Sequence, residues 1–231
     1  MCAAAPGETT VEIGPGEGAL TAYLLRSVDR LHAVEIDREL TGPLSARFGE
    51  RLVVHQEDAL RFDFCTLGSS LRVVGNLPYN ISTPLLFHLI EQPCVQAMVF
   101  LLQKEVVDRL AAGPGDAAYG RLSVMVQARC AVTPLFTVPP GAFTPPPKVD
   151  SRLVHLVPAP PLRVADAAHF GRIVSAAFAQ RRKMLRQSLK AWCTATDWQA
   201  LGIDSTRRAE TLTLEEFAQI ADQTLAHAGR S

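Results

Sequence analysis

Net charge is what this sequence lacks: 23 Lys and Arg offset 23 Asp and Glu. A balanced chain is not drawn as a whole toward a polyanion, so nucleic acid would have to be met by a local patch. No run of eighteen apolar residues occurs, which argues against a membrane span. No charged start followed by an apolar core and a cleavage site is present, so no secretory signal is expected. Aromatics are sparse, at 6%. The five cysteines, Cys2, Cys65, Cys94, Cys130 and Cys193, include no Cys-x-x-Cys pair. That disfavours zinc and disulfide frameworks and predicts buried free thiols in a reducing cytoplasm. His32, His55, His88 and His155 have no metal-ligand spacing, so no metal is expected.

What is present is a globular composition, 48% hydrophobic and 20% charged, over 231 residues. That length holds one large domain, or one large and one small. The zero charge hides an asymmetry. Residues 1–157 hold 13 basic and 16 acidic residues, whereas residues 158–231 hold 10 and 7. Arg172 to Lys190 contains six basic residues and no acid. Such a run is either a solvated helix face or a phosphate-binding one.

Leu71-Arg72-Val73-Val74-Gly75 reads as a buried strand, and Asn76-Leu77-Pro78-Tyr79-Asn80 follows it. Ligands of open α/β sheets bind where parallel strands end. Pro78 fixes its own backbone and biases Leu77 away from helix. Asn76 offers an amide oxygen, the Leu77 carbonyl lies beside it, and Tyr79 offers a flat ring. Two acceptors and a stacking face suit an exocyclic amine on a planar base. Alone, the pentapeptide barely exceeds an ordinary strand-to-helix turn.

Upstream, Thr9–Ile13 reads as a strand, and Gly14-Pro15-Gly16-Glu17-Gly18 leads into a helix from Ala19 through Leu25. A glycine turn there lets a ligand approach the backbone and the helix N-terminus. Leu31 to Asp37 reads as the second strand, with Glu35 placed 21 positions after Gly14. A carboxylate at that tip hydrogen-bonds a ribose diol. The third glycine of the dinucleotide spacing is missing, which favours a nucleoside cofactor without pyrophosphate. After a helix over Glu39–Phe48 and a strand over Arg51–His55, Asp58 can accept from an adenine amine; alone it reads as a cap.

Ser82-Thr83-Pro84 opens a helix. Val95–Leu102 reads as a strand and Lys104–Ala111 as a helix stopped at Gly113-Pro114-Gly115. Ser123–Ala128 and Ser151–Leu156 read as two more strands, separated by the proline-rich loop Pro139–Lys148, stiff enough to hold Phe143 in place. Strands alternating with helices give a doubly wound α/β sheet. Pro158-Ala159-Pro160-Pro161 predicts a boundary between residues 1–157 and a helical domain over 158–231. Phe170, Phe178, Met184 and Trp192 read as its core, Asp166 as a cap, and Thr213-Leu214-Glu215-Glu216 as a capping box.

Together these motifs resemble the ribosomal RNA adenine dimethyltransferases that use S-adenosylmethionine, in particular the bacterial branch acting on small-subunit RNA. The matching segments are Glu12–Thr21, Glu35–Asp37, Glu57–Ala59, Asn76–Ser82, Gln103–Val106, Tyr119–Val124, Phe143–Ser151, Phe178–Leu185 and Arg208–Glu210. They follow family order over nearly the whole chain. One departure is that the family carries a Gln-x-Phe-Leu-type segment ahead of the first strand. This chain starts at Met1-Cys2-Ala3-Ala4-Ala5 and is expected to be short of it.

The resemblance implies a Rossmann-like methyltransferase sheet with a small all-α C-terminal domain that contacts RNA. It implies cofactor contacts at Gly14, Gly16, Glu35, Ile36, Asp58, Ala59 and Asn76. It implies a target-amine site at Asn76, Leu77 and Pro78, with Tyr79 stacking on the base and Phe143 covering its other face. RNA contacts would come from Arg181, Arg182, Lys183, Arg186 and Lys148. The expected activity is dimethylation of the N6 amines of two adjacent adenines near the 3′ end of 16S ribosomal RNA. The donor would be S-adenosyl-L-methionine, the partner a pre-30S particle, the protein a cytoplasmic monomer. Two readings compete. One is the large-subunit, macrolide-resistance branch, which the extended C-terminal domain disfavours. The other is a non-catalytic ribosome-assembly factor, which the intact Asn76–Tyr79 motif disfavours.

Overall fold

The structure is a computed structural model that describes residues 7–78, 81–160 and 162–228. Seven strands form one sheet: β1 (Thr9–Ile13), β2 (Leu31–Glu35), β3 (Leu52–Gln56), β4 (Leu71–Asn76), β5 (Val95–Gln103), β6 (Cys130–Val138) and β7 (Ser151–Pro158). Their order is β3-β2-β1-β4-β5-β7-β6. The pairings β1–β2, β2–β3, β1–β4 and β4–β5 are parallel, and β7 is antiparallel to β5. The buried runs of β1, β4 and β5 are what strands covered on both faces require. The chain leaves β1 toward β2 and β3, then returns to β4 on the other side. The β1/β4 seam is therefore the topological switch point, where the strand tips open a crevice.

Between the strands lie α1 (Ala19–Leu24), α2 (Arg38–Phe48), α3 (Ser82–Ile90) and α4 (Lys104–Ala111). Asp37 caps α2 by accepting from the Glu39 amide. Leu24, Leu31, Ala33, Leu44 and Val74 form an apolar layer of this unit. Gly18 has φ of +83°, and a Cβ there would sit 2.7 Å from the Phe48 ring. Only glycine lets α1 start so close to α2. A Cβ on Gly75 would likewise stand 2.7 Å from the Ile13 carbonyl.

The chain divides into a sheet unit, up to Val107 with Ala131–Pro158, and a helical unit, Asp108–Cys130 with the chain from Ala159 on. The sheet unit ends at the proline cluster. The residues from Asp108 to Cys130 leave it, however, because the segment read as a strand over Ser123–Ala128 is helix α5 (Arg121–Gln127). Ser123 accepts from the Gly120 amide and donates to the Arg109 carbonyl, and Gln127 donates to the Leu110 and Ala112 carbonyls. Those bonds, with Val124 and Ala128 in the helical core, override the strand preference of its valines.

The helical unit also contains α6 (Ala167–Ala179), α7 (Leu185–Ser188), α8 (Ala195–Leu201) and α9 (Leu214–Ala228). Phe170, Ile173, Leu185, Leu189, Phe217 and Ile220 form its core. Asp166 caps α6 on the His169 amide, and Thr213 and Glu216 exchange bonds at the start of α9. Met184, expected in the core, is 37% exposed, because it lies in a bridge to Arg208 rather than on a continuous helix.

Two further corrections concern β6 and the cysteines. β6 has no counterpart in the sequence reading; Pro134 breaks its pattern, and it lies at the sheet edge, where proline is tolerated. Cys65 and Cys94 are joined in a disulfide, against the expectation of free thiols. The Leu71 amide donates to the Cys94 carbonyl, which draws the segment before β5 to the start of β4 and so toward Cys65. Cys130 and Cys193 are free and buried, and burial pushes their thiols up to about 11 and about 12. Among the described residues, no helix is long and apolar enough to cross a membrane.

Candidate cofactor and substrate site

At the tips of β1, β2 and β3 a cavity of about 330 Å³ is lined by Gly14, Glu35, Ile36, Asp58, Ala59 and Pro78, with Ile13, Val34, Glu57, Leu60 and Ile81. Gly14 and Gly16 hold φ of +63° and +57°, and a Cβ on either would meet nothing within 4 Å. The glycines are thus demanded by left-handed backbone, and the turn leaves its peptide edges open. Glu35 is buried, and its two oxygens accept from the Gly16 and Asp37 amides at 3.3 and 3.0 Å. Each oxygen keeps a lone pair for a donor in the cavity. One oxygen of Asp58 accepts from the Leu60 amide at 2.9 Å, leaving the other for a ligand. Ile36 is 67% exposed, an apolar wall beside the Glu35 carboxylate.

The lining contains three carboxylates, Glu35, Glu57 and Asp58, and no Lys or Arg. Such a cavity repels phosphate and favours a cationic ligand. Its apolar walls suit a flat ring, and its volume suits a nucleoside. These residues therefore fit S-adenosylmethionine, whose sulfonium and amine are positive.

Asn76 ends β4, exposed, opposite Leu101 of β5. Leu77 is buried, and its amide donates to the Leu101 carbonyl. Neither is among the cavity lining, whereas Pro78 is; its carbonyl accepts from the Ile81 amide. Tyr79 and Asn80 lie outside the described residues. Because β7 runs antiparallel and begins at Ser151 opposite Gln103, the loop before it is delivered to the sheet edge where β4 and β5 end. Phe143 sits in that loop, half-buried, after a short turn over Pro140–Ala142, and Lys148 is exposed further along.

Sequence reasoning gave no site role to Leu60 or Ile81, and took Glu12 only as the residue that precedes the glycine turn. Leu60 and Ile81 follow the two motifs directly, and apolar residues one step beyond polar strand tips are the signal that finds them. Glu12 lies in mid-strand in β1, 1% exposed, and accepts from the Thr21 hydroxyl at 2.6 Å. Burial pushes its carboxyl up to about 7; the Thr21 bond lowers it and the nearby Glu35 charge raises it. A glutamate inside an otherwise apolar strand is a legible anomaly.

In the helical unit, Arg182, Lys183 and Arg186 are exposed. Arg181, exposed as well, is held by Glu210 at 2.9 Å and by the Ala117 carbonyl.

Comparison with known proteins accords with this geometry. A family model described as ribosomal RNA adenine dimethylase matches residues 3–225. The chain is 54% identical to the ribosomal RNA small subunit methyltransferase A of Aromatoleum aromaticum, covering 98% of this chain and 87% of that protein. It is 52% identical to the protein of that name from Pseudomonas aeruginosa, covering 94% and 84%. Among solved structures, a dimethyladenosine transferase from Plasmodium falciparum is similar with a TM-score of 0.79 at 28% identity, over 92% of this chain and 88% of that one. The 23S rRNA methyltransferase ErmE is similar with a TM-score of 0.74 at 22% identity, over 96% and 92%, a likeness of fold alone.

Proposed function

The chain belongs to the ribosomal RNA adenine dimethylase family, and from that premise we propose that it dimethylates the N6 amines of two adjacent adenines near the 3′ end of small-subunit (16S) ribosomal RNA. The observation that carries the choice of cofactor is the cavity with three carboxylates and no cation. S-adenosyl-L-methionine, when bound, supplies an electrophilic methyl group on a sulfonium. Glu35 would take the ribose hydroxyls and Asp58 the adenine amine, between the walls of Ile36, Ala59 and Leu60. The small-subunit substrate rests on the relatives' names.

The chain's own part in the chemistry is positioning. An adenine amine is a weak nucleophile because its lone pair is delocalised into the ring. The Asn76 amide oxygen and the Leu77 carbonyl would accept its two hydrogens and favour a more tetrahedral nitrogen, whose lone pair then points along the line of attack. Alignment of this kind supplies roughly 7–11 kcal/mol in ideal intramolecular systems. Asn76 is no base; its dipole stabilises charge developing on the nitrogen, which sheds its proton to water. Pro78 stiffens the backbone directly after these acceptors, beside the cavity it lines. Tyr79 would stack on the flipped base, worth ~1–3 kcal/mol, with Phe143 on its other face. Arg182, Lys183, Arg186 and Lys148 would meet phosphate. A pre-30S particle as partner and a cytoplasmic location fit that substrate, and the protein is taken to act as a monomer; in a reducing cytoplasm the Cys65–Cys94 bond would be an exception.

The test is Asn76→Ala. Methyl transfer to RNA should fall at least about a hundredfold, the cost of removing a transition-state donor or acceptor. RNA binding should be nearly unchanged. Retained transfer would remove Asn76 from the chemistry, and lost RNA binding would make it structural.

A further inference from the structure

Arg181, Arg182, Lys183 and Arg186 are all expected to contact RNA, and the structure separates them. α6 ends at Ala179 with Gln180 as its C-cap, and the Lys183 amide closes a turn on the Gln180 carbonyl at 2.8 Å. The chain then pairs with the segment before Glu210. Met184 bridges Arg208, the Leu185 amide donates to the Arg207 carbonyl, and the Arg186 amide donates to the Ser205 carbonyl. Arg181, in the turn, reaches sideways to the Glu210 carboxylate and the Ala117 carbonyl. Glu210 is anchored from a third segment, since its carbonyl accepts from the Gly115 amide. Tyr119, fully buried, fixes that third segment by donating to the Leu212 carbonyl at 3.0 Å. One ion pair thus ties together the turn, the loop before α5 and the chain before α9.

The cations fall into two groups. Arg181 is matched to Glu210, and Arg207 is matched to both oxygens of Glu216. Arg182, Lys183, Arg186 and Arg208 are exposed, and their side chains make no hydrogen bond or ion pair among the described residues. Arg208 lies opposite Met184 on the outward side of the bridge, because their neighbours Leu185 and Ala209 are buried. Arg208 therefore stands beside the turn in space although it is far along the chain.

Resting on the RNA-binding reading of this unit, we propose that Arg181 is a positioning residue and not a phosphate ligand. Paired with Glu210, it holds Arg182, Lys183, Arg186 and Arg208 as one phosphate-binding surface for RNA. The pair itself is too exposed, at 46% and 28% for the two side chains, to matter much to fold stability. Its effect is on the relative placement of the four cations.

The discriminating variant is Glu210→Gln in the full chain, titrated with a fluorescently labelled 3′-terminal hairpin of small-subunit RNA across a salt series. Were Arg181 a phosphate ligand, removing Glu210 would free its charge, tighten binding and steepen the salt dependence. A positioning role predicts the reverse: binding weaker by about fivefold or more. KM for RNA should rise by the same factor, with kcat at saturating RNA, cofactor affinity and melting temperature held. The swapped pair Arg181→Glu with Glu210→Arg should recover most of the binding. Tightened or unchanged binding in Glu210→Gln overturns the proposal. So does a swap that keeps the melting temperature but does not recover RNA affinity. Arg182→Ala and Arg208→Ala should each lower the slope of log affinity against log salt by about 0.7–0.9. If no alanine at the four cations changes that slope, the RNA reading itself fails and the proposal falls with it.

Discussion

Glu12 shows how one residue can tie stability to the site. Its carboxyl is buried beneath the glycine turn, bonded to Thr21, and burial lifts it from 4.5 to about 7. An acid whose folded value is raised is stabilising while protonated. Its contribution is fully present below the unfolded value near 4.5 and is lost as pH rises toward 7. The linkage is on the order of 3 kcal/mol. Glu12→Gln keeps an acceptor for Thr21 and cannot ionise. The melting temperature of the variant relative to the parent should therefore climb between about pH 4.5 and 7 and level off above. A constant difference across that range would mean that Glu12 ionises freely in the folded chain.

At the scale of elements, legibility followed the number of competing explanations for each segment. β1, β2, β4 and β5 were plain, because apolar runs ending in Gly14, Glu35 and Asn76 have few other uses. The cavity was legible for the same reason: glycines and carboxylates at strand tips announce themselves at short range. α5 was not legible, since Ser123-Val124-Met125-Val126 satisfies a strand period as well as a helical one. The decision was made by Arg109 and Gly120, which Ser123 bonds at once. That account predicts that Ser123→Ala, deep in the helical unit, leaves both backbone groups unsatisfied. It should cost about 1–3 kcal/mol in denaturant unfolding, whereas Ser123→Thr, which keeps the hydroxyl, should cost less. Equal losses would assign the effect to packing. The Cys65–Cys94 bond and the Arg181–Glu210 pair were hidden for a related reason: each joins segments whose proximity only the fold creates.

At the scale of the molecule, the zero net charge is a separation of opposite charges along the chain. The excess of acid lies in residues 1–157, which include the cavity of Glu35, Glu57 and Asp58; the excess of base lies in residues 158–231, which include Arg182, Lys183, Arg186 and Arg208. On the function proposed above, a cationic cofactor and a polyanionic substrate would each meet the opposite sign, while the balanced total limits unspecific capture of RNA. If that partition is real, the two affinities respond to different residues. Glu35→Ala removes a charged acceptor and should weaken S-adenosylmethionine by about 10–100-fold, the value of a charge-assisted hydrogen bond of ~1.5–3 kcal/mol, while RNA affinity and its salt slope stay as they were. Arg182→Glu with Lys183→Glu should do the converse, flattening the salt dependence of RNA binding by about 1.4–1.8 in slope, since each phosphate contact contributes 0.7–0.9, with cofactor affinity unchanged in calorimetry. Should either variant move both affinities, the charges do not act separately, and cofactor and RNA binding would have to be coupled through the fold rather than merely carried on it.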